Sequence, residues 1–217
     1  GVSTVAPIEA NEATLFLSRY GLHLHEFVIP RDQVAEFYSA PDLLLLAEHL
    51  TASGGIVDLS FQREPSPTIW AVRNDGILLA GSYRRDENVV AWTSHSTCGL
   101  FESVCVMPHP DGTREQVWVI VNRLINGATK RYVEYLDDSQ LYFPGRMTDS
   151  SVIFSGTNCT ILQGAAHLNG ERVQVLADGR YVGTCDVANG LVGIATPANT
   201  IEAGLPIVNE AITLPTE

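Results

Sequence analysis

The sequence has few basic residues, no long apolar run and no signature of a cofactor site, and each shortage excludes a class of function. Lys and Arg together number 13 against 25 Asp and Glu, giving a formal charge of −12 and a pI near 4.8. A field of that sign repels phosphate, so sequence-independent nucleic-acid binding, which needs clustered Lys and Arg, is disfavoured. The longest apolar runs, "LLLLA" at 43–47 and "VWVIV" at 117–121, fall far short of the roughly 18–20 residues a membrane-crossing helix requires. P-loop, Rossmann, EF-hand and HExxH patterns are all missing, so nothing asks for a cofactor or a metal. Cysteine is also scarce: Cys98, Cys105, Cys159 and Cys185 form neither a CxxC pair nor a Cys/His zinc spacing, and are expected to be buried free thiols.

What is present is apolar and turn-rich. Hydrophobic residues make up 45% of 217, enough to bury a real core in one large domain or two smaller ones. The abrupt opening "GVSTVAPIEA" suggests a piece of a longer protein. Asp-Gly or Asn-Gly occurs at 75–76, 111–112, 126–127, 169–170, 178–179 and 189–190. These dipeptides supply the positive φ angles of tight hairpins, and most lie between runs rich in Val, Ile, Leu, Tyr or Trp. Three consecutive hairpins are expected: "TIWAVR" with "ILLAGSYRR", "QVWVIVNR" with "TKRYVEYL", and "RVQVLA" with "RYVGTCDV". One short helix is expected near 41–52, with Pro41 in its first turn, Gly54-Gly55 as its stop, and Leu43, Leu46, Ala47 and Leu50 as its buried face. A shorter turn is expected around "RDQVAEFY", residues 31–38.

An internal repeat organises the first part of the chain. "LFLSRYG", "IWAVRNDG" and "VWVIVNRLING" each carry an aromatic, an Arg a few places on and a turn glycine, with Phe16, Trp70 and Trp118 as the aromatics. Periods near 50 suit multi-stranded propeller blades, but three units are too few to close a propeller. Either further sequence completes it or the units form an open stack. From about residue 148 aromatics thin out and Gly and Asn rise, as in a compact β-barrel or sandwich. The expected organisation is an all-β, mainly antiparallel chain with one short helix. Propeller-like or stacked-sheet hairpin repeats occupy 1–147, a small β-barrel or sandwich occupies 148–217, and a linker lies within 137–150.

Catalytic and binding patterns are weak. Asp75, Asp111 and Asp178 are explained by turns, and Asp137-Asp138 lies in a loop, so no carboxylate pair of a glycoside hydrolase stands out. In Ser94-His95-Ser96 adjacent strand residues point to opposite faces, and no GxSxG elbow occurs. His23 and His25 share one strand face, a spacing some metal sites use, but with no third ligand they are expected to be a solvent-facing pair. Arg84, Arg85 and Arg131 are expected to pair with carboxylates. Trp70, Arg73, Trp92, Trp118 and Arg123 are expected to be structural anchors. The alternative makes Trp70, Arg73 and Trp92 a ligand site, with Trp70 as a stacking platform and Arg73 as an anion clamp.

"APDLLLLAEHL", then "IWAVRNDGILLAGSYRRDENVVAWTSHSTCGLFESVCVMP", then "VWVIVNRLINGATKRYVEYL" form an ordered series more specific than any one piece. It resembles the tubular or nozzle-type head-to-tail connecting (tail stabilisation) proteins of short-tailed bacteriophages and related prophages. "HLNGERVQVLADG" and "GLP" are also similar to the ends of such proteins, and the likeness covers most of residues 40–210. The resemblance implies a virion structural component, made in the bacterial cytoplasm and placed in the tail, of which this chain is the C-terminal portion. It implies rings, commonly hexameric, joining portal or adaptor to distal tail and lining a channel through which DNA passes without specific binding. It brings no catalytic residue. An acidic channel wall would suit this role, because carboxylates do not trap phosphates. The competing reading is a carbohydrate- or receptor-binding β module of a tail spike or surface protein, and a propeller hydrolase is a more distant third.

Overall fold

The computed structural model describes residues 3–28, 40–87, 89–137 and 147–208. The turn expected at 31–38 and most of the expected linker lie outside them. The described residues are mostly antiparallel β, and among them are four sheets of which none closes. The chain divides into two compact units, Gly1–Asn122 with Arg131–Asp138, and Arg123–Lys130 with Ser139–Glu217.

The first unit contains three meanders in chain order. Sheet I is β1 (Ile8–Ala10), β2 (Ala13–Leu17) and β3 (Leu24–Phe27). Sheet II is β4 (Ile56–Gln62), β5 (Thr68–Arg73), β6 (Leu78–Arg84) and β7 (Val89–His95). Sheet III is β8 (Leu100–Pro108), β9 (Glu115–Ile125) and β10 (Ala128–Tyr135), with the tip of the β9–β10 hairpin belonging to the second unit. The three aromatic-Arg repeats fall on β2, β5 and β9, each the second strand of its meander.

Side-chain alternation explains the stacking. In β2, Ala13, Leu15 and Leu17 are buried while Thr14 and Phe16 face the other way. Leu15 and Leu17 join Leu24, Phe61, Ile69, Ala71, Leu79 and Tyr83 in one core between sheets I and II. The opposite face of sheet II, with Trp70, Val72 and Leu78, packs on Phe101, Val104, Val117, Val119 and Val121 of sheet III. Sheet II is therefore the middle layer, which is why "TIWAVR" lacks the apolar-polar alternation of a strand wetted on one side. Gly81 is required opposite Trp92, because a Cβ there would lie 2.8 Å from the indole ring.

The expected helix near 41–52 is instead a 3-10 turn, Leu45–Leu50, broken at Ala47 (φ −129°, ψ 25°). Residues ahead of it pair with β3: Leu43 N–H donates to Leu24 O, Glu26 N–H donates to Pro41 O, and Asp42 bridges His25. With the chain held against β3 there, Leu44 becomes the buried leucine and Leu46 is 96% exposed. Four consecutive leucines offer no unique face, so tertiary pairing decided which of them went inside.

The second unit is one sheet in the order β11–β14–β12–β13: β11 (Thr148–Gln163), β12 (Arg172–Ala177), β13 (Arg180–Asp186) and β14 (Leu191–Pro206). Register shifts at Asp149/Val152, Ser155/Cys159 and Cys159/Ile161 interrupt the long β11–β14 ladder. Leu162, Leu168, Val173, Val175, Val192, Ile201 and Ala203 are among its buried apolar residues. The hairpins over Asn126-Gly127 and Asp178-Gly179 have positive φ at both turn residues (49° and 73°; 48° and 75°), the tight geometry these dipeptides predict. No helix among the described residues is long and apolar enough to cross a membrane.

Candidate functional site

Trp70, Arg73 and Trp92 all sit on sheet II, but they do not converge. Trp70 pairs with Ala80 and faces sheet III, while Trp92 pairs with Gly81 and packs on the opposite core. Both indoles are half-buried with their N–H groups satisfied, Trp70 Nε1 by Gln62 Oε1 at 3.0 Å and Trp92 Nε1 by Leu43 O at 2.9 Å. Arg73, three residues beyond Trp70, points to the other face and is 8% exposed. Its guanidinium is spent on the two carboxylate oxygens of Asp75, on Ser53 Oγ and on Leu50 O. It ties the end of the 3-10 turn to the β5–β6 hairpin, and no stacking platform and anion clamp share a face.

Arg123 is 1% exposed and meets Asp149 in a two-point pair, Nη1 to Oδ2 at 2.7 Å and Nη2 to Oδ1 at 3.0 Å. This fork matches carboxylate geometry and gives direction as well as charge. The other singled-out cations also meet carboxylates: Arg85 Nε lies 2.6 Å from Glu26, Arg84 lies 3.9 Å from Glu87, and Arg131 Nε lies 2.6 Å from Glu102. Hydrogen bonds from Arg131 and Asn122 hold the Glu102 carboxyl below its usual range. The backbone N–H of Thr113 and the His109 ring hold Asp111 at about 2, so that carboxylate organises its own turn. The four cysteines are free thiols but not buried ones: Cys105 is exposed and Cys98, Cys159 and Cys185 are half-buried. Their scattered surface positions remove the packing role read for them. His95, from Ser94-His95-Ser96, lies 6.0 Å from the Trp70 ring and contacts Thr93 Oγ1, and burial of the ring lowers its pKa.

Two surfaces remain. Trp118 does not enter the core between sheets II and III: it lies on the outer face of sheet III, its ring 5.3 Å from Tyr135. Cys105 pairs with it across β8, and Met107, Ile120 and Val133 extend the same face, with Tyr135 50% and Val133 71% exposed. This is an aromatic and aliphatic sheet face of the kind buried twice elsewhere in the same unit. On the outer face of sheet I, His23 and His25 stack with ring centroids 6.3 Å apart, and Phe16 stacks on His25 at 5.3 Å. His23 Nδ1 lies 2.7 Å from Asp42 Oδ2, and His25 Nδ1 lies 3.2 Å from Ala40 O. Asp42 is 19 residues from His23 and carries no metal or catalytic motif, so only the bridge to His25 reveals it. Set against protein-family models and curated protein sequences, the chain matches none of them.

Proposed function

We propose that the chain is a structural component of a phage or prophage tail, part of a tube or nozzle ring joining portal or adaptor to distal tail around the DNA exit channel. The observation that carries the reading is the open end of the sheet stack. Two interfaces between successive meanders are filled by aliphatic and aromatic side chains, and the outer face of sheet III presents side chains of the same kind, with Met107, Ile120, Val133 and Tyr135 exposed. Exposed apolar faces of that kind mark association sites. In this reading the meanders are consecutive propeller-like blades, the second unit is a small barrel-like accessory domain, and the ring is commonly hexameric. The sequence resemblance supports the same assignment, and the excess of carboxylates suits a channel that DNA slides through.

A carbohydrate- or receptor-binding module is the second reading, favoured by the Trp118 and Tyr135 rings lying side by side on an open face. Electron microscopy of the protein mixed with portal and adaptor subunits from the same genome separates the two. Rings with a central channel, assembled on the adaptor, are expected. Dispersed monomers that instead bind an oligosaccharide, with the binding lost in Trp118→Ala, would replace the first reading by the second.

A further inference from the structure

The stacked imidazoles of sheet I are each held in one orientation by a contact at Nδ1. Each Nδ1 faces an acceptor that has no proton to give: a carboxylate for His23 and a backbone carbonyl for His25. The proton of each neutral ring therefore sits on Nδ1, and both lone pairs are left on Nε2. Histidines that bind metal are held in this way, donating the other ring N–H to a carboxylate or carbonyl that fixes tautomer and orientation. Asp42 is itself fixed, its second oxygen accepting Leu44 N–H at 2.9 Å and its backbone bridging His25. Phe16 supports the His25 ring from the neighbouring strand.

The separation of the rings fits one shared ion. Zn–N bonds of about 2.0–2.1 Å place each ring centroid about 3 Å from the metal, so two imidazoles on one ion have centroids about 5–6 Å apart. At 6.3 Å and 30° between planes, the present rings lie slightly farther apart and nearly parallel, so a shared ion draws the two Nε2 atoms together by rotation of both rings. His23 is 44% exposed, so an ion enters directly from solvent. Among the described residues no group of three or more His, Cys, Asp or Glu is placed to hold a metal, so water completes the coordination. Paired imidazoles suit Zn²⁺, Ni²⁺ or Cu²⁺, whereas Mg²⁺ and Ca²⁺ prefer oxygen. We propose that His23 and His25 bind one such transition-metal ion through Nε2, with Asp42 and the Ala40 carbonyl as their orienting partners. This site is independent of the tail-protein reading.

Calorimetric titration of the 217-residue protein with Zn²⁺, combined with NMR of the imidazole nitrogens, tests the site. The expected result is one saturable ion, Nδ1-protonated rings before addition, and shifts confined to His23 and His25 Nε2. His23→Gln and His25→Gln should each weaken binding by more than about 10-fold, and Asp42→Asn by about 10–100-fold, the usual cost of removing an orienting partner. His109→Gln, in the separate Asp111 loop, should leave the affinity unchanged. Thermal unfolding without metal establishes that each variant is folded. Absence of saturable binding by the intact protein, or unchanged affinity in a folded His23→Gln or His25→Gln variant, would overturn the proposal.

Discussion

The two units bury their strands by different means. In the first, three short meanders are laid face to face, and each interface is almost purely apolar. In the second, one sheet contains two 16-residue strands with interrupted register, and buried polar groups secure it. Arg123 is locked to Asp149, and the buried Glu202 carboxylate accepts from the backbone N–H groups of Met147 and Thr148 and from Thr148 Oγ1. Apolar faces are non-directional and tolerate some sliding, whereas a charge taken out of water must meet its partners in one geometry. The first unit also buries polar side chains such as Glu26 and Arg73, so the contrast lies in how the sheets are held: stacked apolar faces in the first unit, an interrupted ladder beside a buried ion pair in the second.

The sharpest way to break this contrast is at Arg123. Arg123→Ala leaves Asp149 without its partner, and a loss of about 3–5 kcal/mol is expected in denaturant unfolding, as for other broken buried pairs. Arg123→Met with Asp149→Leu should regain much of that loss, because replacing both members removes the unpaired charge. A double variant no better than the single one would show that the pair contributes more than charge compensation.

In the first unit the corresponding change is Trp70→Ala, with an expected cost of about 2–3 kcal/mol, below the 3–5 of a fully buried Trp because the indole is half-buried. Unchanged stability would remove Trp70 from the list of anchors. A smaller folding effect is expected on the open face of sheet III. Ile120→Lys and Val133→Lys should change stability by no more than about 0.5 kcal/mol, as at other surface positions. Both should reduce self-association in sedimentation experiments, and equal association by wild type and variants would detach that face from assembly.

The smallest effect concerns pH. Burial of the His95 ring against Trp70 lowers its pKa below the ordinary 6.5, so the unfolded chain takes up protons that the folded chain refuses as pH falls below that value. The contribution is fully present above pH 6.5 and is lost as pH falls through the lowered folded value. Because His95 also keeps an exposed face, the slope should be shallow. His95→Phe should remove it, and an identical pH profile in that variant would show that His95 contributes nothing.

The hairpins were legible because their chemistry is local. Asn126-Gly127 and Asp178-Gly179 turn where their dipeptides require, and the three expected strand pairs form as β5–β6, β9–β10 and β12–β13. The aromatic-Arg repeat located the second strand of each meander, but it was blind to which face is covered. Phe16 faces away from sheet II, Trp70 faces the next sheet, and Trp118 lies beside Tyr135 on the outer face of sheet III. The partners of the charged residues were equally hidden, since Arg73 turns back to Asp75 and His23 finds Asp42 across an irregular bridge.

The sequence by itself determined the β class, the positions of tight turns such as Asn126-Gly127 and the acidic net charge, because these follow from backbone preference, side-chain period and charge count. Only the tertiary structure decided that sheet II is a middle layer, that Leu44 and not Leu46 is buried, and that two histidines turn their Nδ1 atoms to Asp42 and to the Ala40 carbonyl. The physical reason is one of range. Turn and strand preferences act over a few residues, whereas burial, ion pairing and tautomer are fixed by groups that meet only when distant segments pack.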